Sequence, residues 1–343
     1  TLVLTTSNFV NGATVYGDNT STSGGDDSIV VTVTGQNLSN AQIVGGLGND
    51  TLIVTATQLL NTTIAGNSGN DFGTFSGSLI SSTIFGGAGN DTLSFDTNGG
   101  VTGGVIYADL GNDSVSGSIT SATLYGDNSN GGGNDTISAA LTSAYVEAGQ
   151  GNDSFGGTPV LTSTLYGGQG NDTVDLTGAR TYTNSRIYLD GGNDFFSGVA
   201  GVLSGNTISG GSGNDTISVL VPLDGTSASS IIGGAGDDSI LYTGVANTNG
   251  GALAGTYYFG SGAGSDTISF ATATQGALTI AIDSAYAGTG TISGLGATTA
   301  TLTLGTQSII FNGVAGGGGF TTGSTGYSLT FVTVSTSTIT NLG

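Results

Sequence analysis

The sequence predicts an all-β chain: a parallel β-solenoid of about 21 residues per coil followed by a β-rich C-terminal segment that caps it or serves assembly. Three observations carry that expectation. First, a Gly-Asn-Asp-Thr tetrad or a close relative returns through most of the 343 residues. Its aspartate falls at Asp27, Asp50, Asp71, Asp91, Asp113, Asp135, Asp153, Asp172, Asp194, Asp215, Asp238 and Asp266, at intervals of 23, 21, 20, 22, 22, 18, 19, 22, 21, 23 and 28 residues. Such a period marks stacked units that cover one another. Second, alignment on this aspartate exposes two apolar columns. Seven residues before it stand Ile43, Ile64, Ile84, Ile106, Val146, Leu165, Ile187, Ile208, Ile231 and Phe259; two after it stand Ile29, Leu52, Leu93, Val115, Ile137, Phe155, Val174, Phe196, Ile217, Ile240 and Ile268, with Gly73 the gap. Third, helix signals are missing, with no 3.6-residue periodicity and no capping boxes.

Each coil follows from these columns. Thr, Ser or Gly recurs at odd offsets from the apolar positions, which is the period-2 pattern of a strand with one buried face. The two strands meet at the Gly-rich corner. A second, looser corner is written in Ser, Thr, Asn and Gly, as in Leu79–Thr83 and Leu161–Leu165. Stacked at the interstrand spacing of about 4.8 Å, eleven steps make a stiff rod of roughly 53 Å. Residues 1–270 form this solenoid of about 12 coils, and 271–343 form the C-terminal segment. Its core is thin, so apolar burial needs a supplement.

Composition shows what the supplement is. There are 23 acidic side chains, all Asp except Glu147, against Arg180 and Arg186 alone, and the formal charge is −21. A compact state holding such charge at repeat spacing requires a partner cation. Nucleic acid and anionic membranes are bound through Lys and Arg clusters that this sequence does not contain. Cys and Met are absent, which removes disulfides and thiolate chemistry. Glycine, at 66 residues, is costly unless turns at short intervals need it. No apolar run reaches the roughly 18 residues of a membrane-spanning helix. The chain opens on Thr1 without a signal-like stretch, so the expectation is a signal that was removed or never existed.

Five corners spell a complete nonapeptide: GGLGNDTLI at 45–53, GGAGNDTLS at 86–94, GGQGNDTVD at 167–175, GGSGNDTIS at 210–218 and GGAGDDSIL at 233–241. They resemble the RTX calcium-binding repeats of secreted bacterial proteins, whose consensus is GGxGxDxUx. The resemblance implies that the aspartate at position six binds Ca²⁺ together with main-chain carbonyls of neighbouring turns. That role falls on the twelve aspartates named above. It further implies a secreted, extracellular or cell-surface protein, with an uncleaved secretion signal near its C-terminus as one role for 271–343. Calcium takes six to eight oxygens, and one ion in each of eleven gaps brings about +22 against the formal −21. In RTX proteins the nonapeptides run in tandem and both sides of the roll bind calcium. Here 9 to 19 residues intervene, which predicts a single column of up to about eleven ions and a metal-free second corner.

Several corners depart from the consensus. Asp109 and Asp190 replace its second Gly, and Asp18 and Asp127 precede longer loops; each is either a further calcium ligand or a solvated turn residue. Phe85, Tyr107, Tyr166 and Tyr188 form an interrupted outward column, either a glycan- or neighbour-binding stripe or ordinary surface aromatics. Alternating stretches at 278–283, 299–311 and 327–339 are strand signals that cap the solenoid or pair with another subunit, with Thr1–Thr5 as a partner strand.

Without His, Cys or Lys, and with the carboxylates committed to corners, no enzyme site is legible. The leading expectation is a secreted calcium-dependent structural protein that self-associates as the repeating subunit of a filament, fibre or surface layer. The alternative is an adhesin or ligand-binding module for glycan or ice. An ice-binding segment of an RTX adhesin is similar, with Thr and Asn ladders at corner positions three and five. Position five matches from Asn49 to Asn214, but position three reads Leu47, Ser68, Ala88, Leu110, Gln150, Gln169, Ser212 and Ala235.

Overall fold

The computed structural model describes residues 1–18, 24–96, 100–128, 131–156, 160–176, 181–198, 202–219, 229–243, 255–260, 262–270, 276–286, 290–313, 320–321 and 327–334. Arg180 lies outside them. The chain divides into two compact units, Thr1–Pro159 with Ser163–Gly168, and Val160–Thr162 with Gln169–Gly343.

In the first unit every coil crosses two parallel sheets. The strand before the acidic corner stacks in the register Val15, Ile43, Ile64, Ile84, Ile106, Leu124, Val146. The strand after it stacks as Leu2, Ile29, Leu52, Gly73, Leu93, Val115, Ile137, Phe155. From Val15 and Ile29 onward the side chains of both columns are buried, so the period-2 pattern puts one face of each sheet inside. Gly73 leaves a hole in its column, and the Phe75 ring fills it: a methyl on Gly73 lies 2.5 Å from Phe75 Cε2. Leu2–Thr6, expected as an assembly strand, is the rung that stacks on Ser28–Val33.

The second unit repeats the design. Its first column runs Ile187, Ile208, Ile231, Tyr257, Ile280, Phe331, and its second Val174, Phe196, Ile217, Ile240, Ile268, Phe311. The strand signals after residue 270 add rungs to both sheets. Gly276–Asp283 and then Tyr327–Val334 extend one, while Gln307–Asn312 stacks in parallel on Ser265–Phe270. Beyond that rung the pairing turns antiparallel, through Thr299–Leu304 and Thr291–Ser293.

The hydroxyl-rich second corner is a tight left-handed turn. Asn40, Asn61, Ser81, Ser121, Ser143, Thr162 and Asn184 have φ of 48–53°. The residue that follows is small or polar and tucks under the turn, as where Ser82 Oγ accepts the N–H of Thr62 and donates to the Leu59 carbonyl.

Candidate metal centre

The acidic corner is shaped by where its glycines sit. At position four the backbone takes φ between 117° and 148° in Gly48, Gly69, Gly89, Gly111, Gly151, Gly170, Gly192, Gly213 and Gly236. A side chain there also meets the neighbouring coil, since a methyl on Gly89 lies 2.6 Å from the Gly69 carbonyl carbon. Corners therefore nest backbone on backbone, and only glycine allows it.

Two ladders of opposite sense then tie the corners. Each position-six aspartate gives its N–H to Oδ1 of the aspartate one coil later, at 2.7–2.8 Å from Asp27 to Asp153 and 2.7–3.1 Å from Asp172 to Asp266. Each position-five residue gives its N–H to the side chain one coil earlier, as Asn70 to Asn49 at 2.7 Å and Asn134 to Asn112 at 2.6 Å. The recurrent Asn is thus a backbone acceptor.

The second carboxylate oxygen is where the chemistry lies. Oδ2 of Asp50, Asp71, Asp91, Asp113, Asp135, Asp194, Asp215 and Asp238 is buried and receives no hydrogen bond. Against it lies the space that a methyl at position one fills. On Gly45 that methyl meets Asp50 Oδ2 and, at 2.8 Å, the Gly66 carbonyl of the next coil; on Gly86 it meets Asp91 Oδ2 at 2.6 Å and the Ala108 carbonyl. Gly17, Gly66, Gly126 and Gly210 repeat the pattern with Asp27, Asp71, Asp135 and Asp215. Each cradle holds a carboxylate and a carbonyl and no donor. That oxygen set fits a hard divalent cation such as Ca²⁺, which contributes neutralising charge to a buried carboxylate. Among the described residues no three acidic side chains converge, so the remaining ligands are neutral oxygens, the next-coil carbonyls among them.

Electrostatics agree. Loss of hydration raises these carboxyls far above the ordinary range, to about 6 for Asp50 and Asp215, about 7 for Asp91, Asp135 and Asp194, and about 8 for Asp113 and Asp238. Backbone N–H groups and stacked neighbouring aspartates are smaller influences.

Corners are not equivalent. Ala108, Ala148 and Leu189 stand at position one for Asp113, Asp153 and Asp194, and their buried side chains take the space that glycine leaves open elsewhere. Two of the supplementary aspartates accept backbone N–H groups. Asp18 Oδ2 accepts the Leu47 N–H at 3.1 Å, and Asp127 accepts those of Gln150 at 2.6 Å and Gly133 at 3.1 Å. Asp109 and Asp190 sit at φ of 81° and 70°, and Asp109 Oδ1 accepts from Asn128 Nδ2 at 3.3 Å. At Asp266 the hydroxyl of Tyr257 donates to Oδ2 at 2.6 Å. Sequence columns missed Gly17, Gly126 and Tyr257, because the corners of Asp27, Asp135 and Asp266 are longer and alignment on aspartate loses the sheet register there; the Gly-Asp pairs before Asn19 and Asn128 were the available signal.

The outward aromatics form a continuous stack that includes Tyr125 and Tyr145. Phe85 and Tyr107 lie 5.2 Å apart at 7°, Tyr107 and Tyr125 5.1 Å apart at 11°, and Tyr145 and Tyr166 continue it at more tilted angles. Ring faces are turned on one another, so much of the stripe's stacking surface is used within the chain. Arg186 is exposed.

Comparison with known proteins places these corners. A family model described as the RTX calcium-binding nonapeptide repeat (4 copies) matches five stretches, residues 39–54, 81–97, 163–178, 203–218 and 224–247. Among solved structures, a hyperactive, Ca²⁺-dependent, β-helical antifreeze protein from an Antarctic bacterium is similar in fold, at 23% identity and a TM-score of 0.58, over 80% of this chain and 84% of that one. Among curated proteins no sequence matches. No helix among the described residues is long and apolar enough to cross a membrane. The chain carries RTX calcium-binding nonapeptide repeats, set on a parallel β-solenoid.

Proposed function

We propose that the chain is a secreted, calcium-dependent structural protein, the repeating subunit of an extracellular filament, fibre or surface layer, whose coils are held by one column of Ca²⁺. The observation that carries the reading is the row of buried aspartate oxygens without donors, which at Asp50, Asp71, Asp91, Asp135 and Asp215 face a carbonyl of the next coil across the corner's glycine. Such a row is unfavourable without cations and rigid with them. The position-six aspartates from Asp27 to Asp238 are the ligands; Asp18 and Asp127 hold the backbone around them, and Asp109 and Asp190 stand at its left-handed positions. Corners that carry Ala108, Ala148 or Leu189 have less room, which lowers the count below the ceiling of about eleven ions set by the corners. Lack of His, Lys and Cys supports a non-enzymatic role. Size-exclusion chromatography and electron microscopy with calcium and with chelator test the assembly: long polymers in calcium support it, and a monomer at high protein and calcium concentration refutes it.

A second reading, a module that binds glycan or ice, draws on the similarity in fold to an antifreeze protein and on the exposed position-five ladder of Asn49, Asn70, Asn90 and Asn112. Position three lacks the Thr partner ladder. Thermal hysteresis and a glycan array distinguish it.

A further inference from the structure

We propose that Tyr257 closes the cation column: its phenol oxygen supplies the next-coil ligand of the last cradle, at Asp238, and Asp266 fixes that phenol without itself holding calcium. The proposal rests on the calcium reading above. In the cradles of Gly17, Gly45, Gly66, Gly86, Gly126 and Gly210, the oxygen facing the aspartate is a carbonyl of the following coil. At Gly233 it is Tyr257 Oη, 2.7 Å from the methyl position, opposite Asp238 Oδ2. Tyr257 reaches that point because the register sets it against Ile231, in a column otherwise aliphatic up to that coil, where it is fully buried.

The hydroxyl has one proton, and it goes to Asp266 Oδ2 at 2.6 Å. Its lone pairs are left for the cradle, so a neutral oxygen stands where a carbonyl stands elsewhere. Asp266 by contrast has no cradle of its own. Phe259, one residue beyond the Ile232–Tyr258 pair and fully buried, occupies the place that Gly233 takes in the coil before. With its Oδ2 bonded and its glycine replaced by a phenyl ring, the Asp266 corner has neither the free oxygen nor the space of the others.

Native mass spectrometry of the calcium-loaded protein counts ions directly. Asp238→Asn is expected to lose one ion, whereas Asp266→Asn keeps the wild-type number. Tyr257→Phe, which preserves packing, is expected to weaken one ion roughly 10–100-fold in a calcium titration, the usual effect of altering a metal's immediate surroundings. An Asp266→Asn protein that folds with one ion fewer, or a Tyr257→Phe protein whose titration is unchanged, overturns the proposal. If Asp266→Asn does not fold, the Tyr257→Phe titration decides alone. A wild-type chain that binds no calcium refutes the underlying reading instead.

Discussion

At the scale of the residue, one aspartate does two jobs with two oxygens. Oδ1 caps the N–H of the previous coil, and Oδ2 is held in a dry space with a carbonyl. Without a cation the favoured answer is protonation. The carboxyls are raised from an ordinary value near 3.8 to between about 6 and about 8, so the ion-free fold is stabilised below about pH 4 and loses that stability as pH rises through the folded-state values. In chelator, the far-ultraviolet β-signal is expected to persist at pH 4 and to disappear between about pH 6 and pH 8; with calcium it persists throughout. A β-signal in chelator that is insensitive to pH refutes this. Backbone strain gives residue-scale tests of opposite sign. Thr162 is β-branched at φ 53°, so Thr162→Gly should stabilise the chain by about 1 kcal/mol. Gly89→Ala, at φ 128° and against the Gly69 backbone, should destabilise it by on the order of 2–3 kcal/mol. Calcium-saturated thermal denaturation measures both.

At the scale of the element, the strands were legible because each has one buried face, so alternation survives in the sequence. Ile29, Val31 and Val33 alternate with more exposed residues as the pattern requires. What alignment on the aspartate could not show was register across corners of unequal length. Asp135 lies 8 residues beyond Asp127, whereas Asp113 lies 4 beyond Asp109, so Leu124 and Tyr125 dropped out of their columns although they pair with Ile106 and Tyr107. Nor could a column show that Phe75 fills the place of the missing side chain at Gly73. The inner and outer aromatics separate these effects. Phe75→Ala should lose about 3–5 kcal/mol by opening a cavity, whereas Phe85→Ala, on the outer face with one stacked neighbour, should lose about 1 kcal/mol. Comparable losses at both sites would mean that the outward stack, and not the core, holds the sheet.

At the scale of the whole molecule, a formal charge of −21 was the plainest message of the sequence, and it led to the cation before any geometry did. The carbonyl ligands were not legible, since every residue has a carbonyl and only the fold decides which ones converge. Removal of calcium at neutral pH is expected to unfold most of the chain; retention of the native near-ultraviolet signal in chelator at pH 7 refutes that.

The opposed sense of the Asn and Asp ladders also makes the stack directional. Because a coil's Asn N–H relies on the coil before it, a chain that emerges N-terminus first always presents a finished acceptor to the next coil. Its Asp N–H must wait for the coil that follows, and that N–H is the more deeply buried of the two. Trimming coils from the N-terminal side therefore strands donors that water can reach. Trimming from the C-terminal side instead bares the Asp N–H of the new last coil, so the two ends of the stack offer different donors.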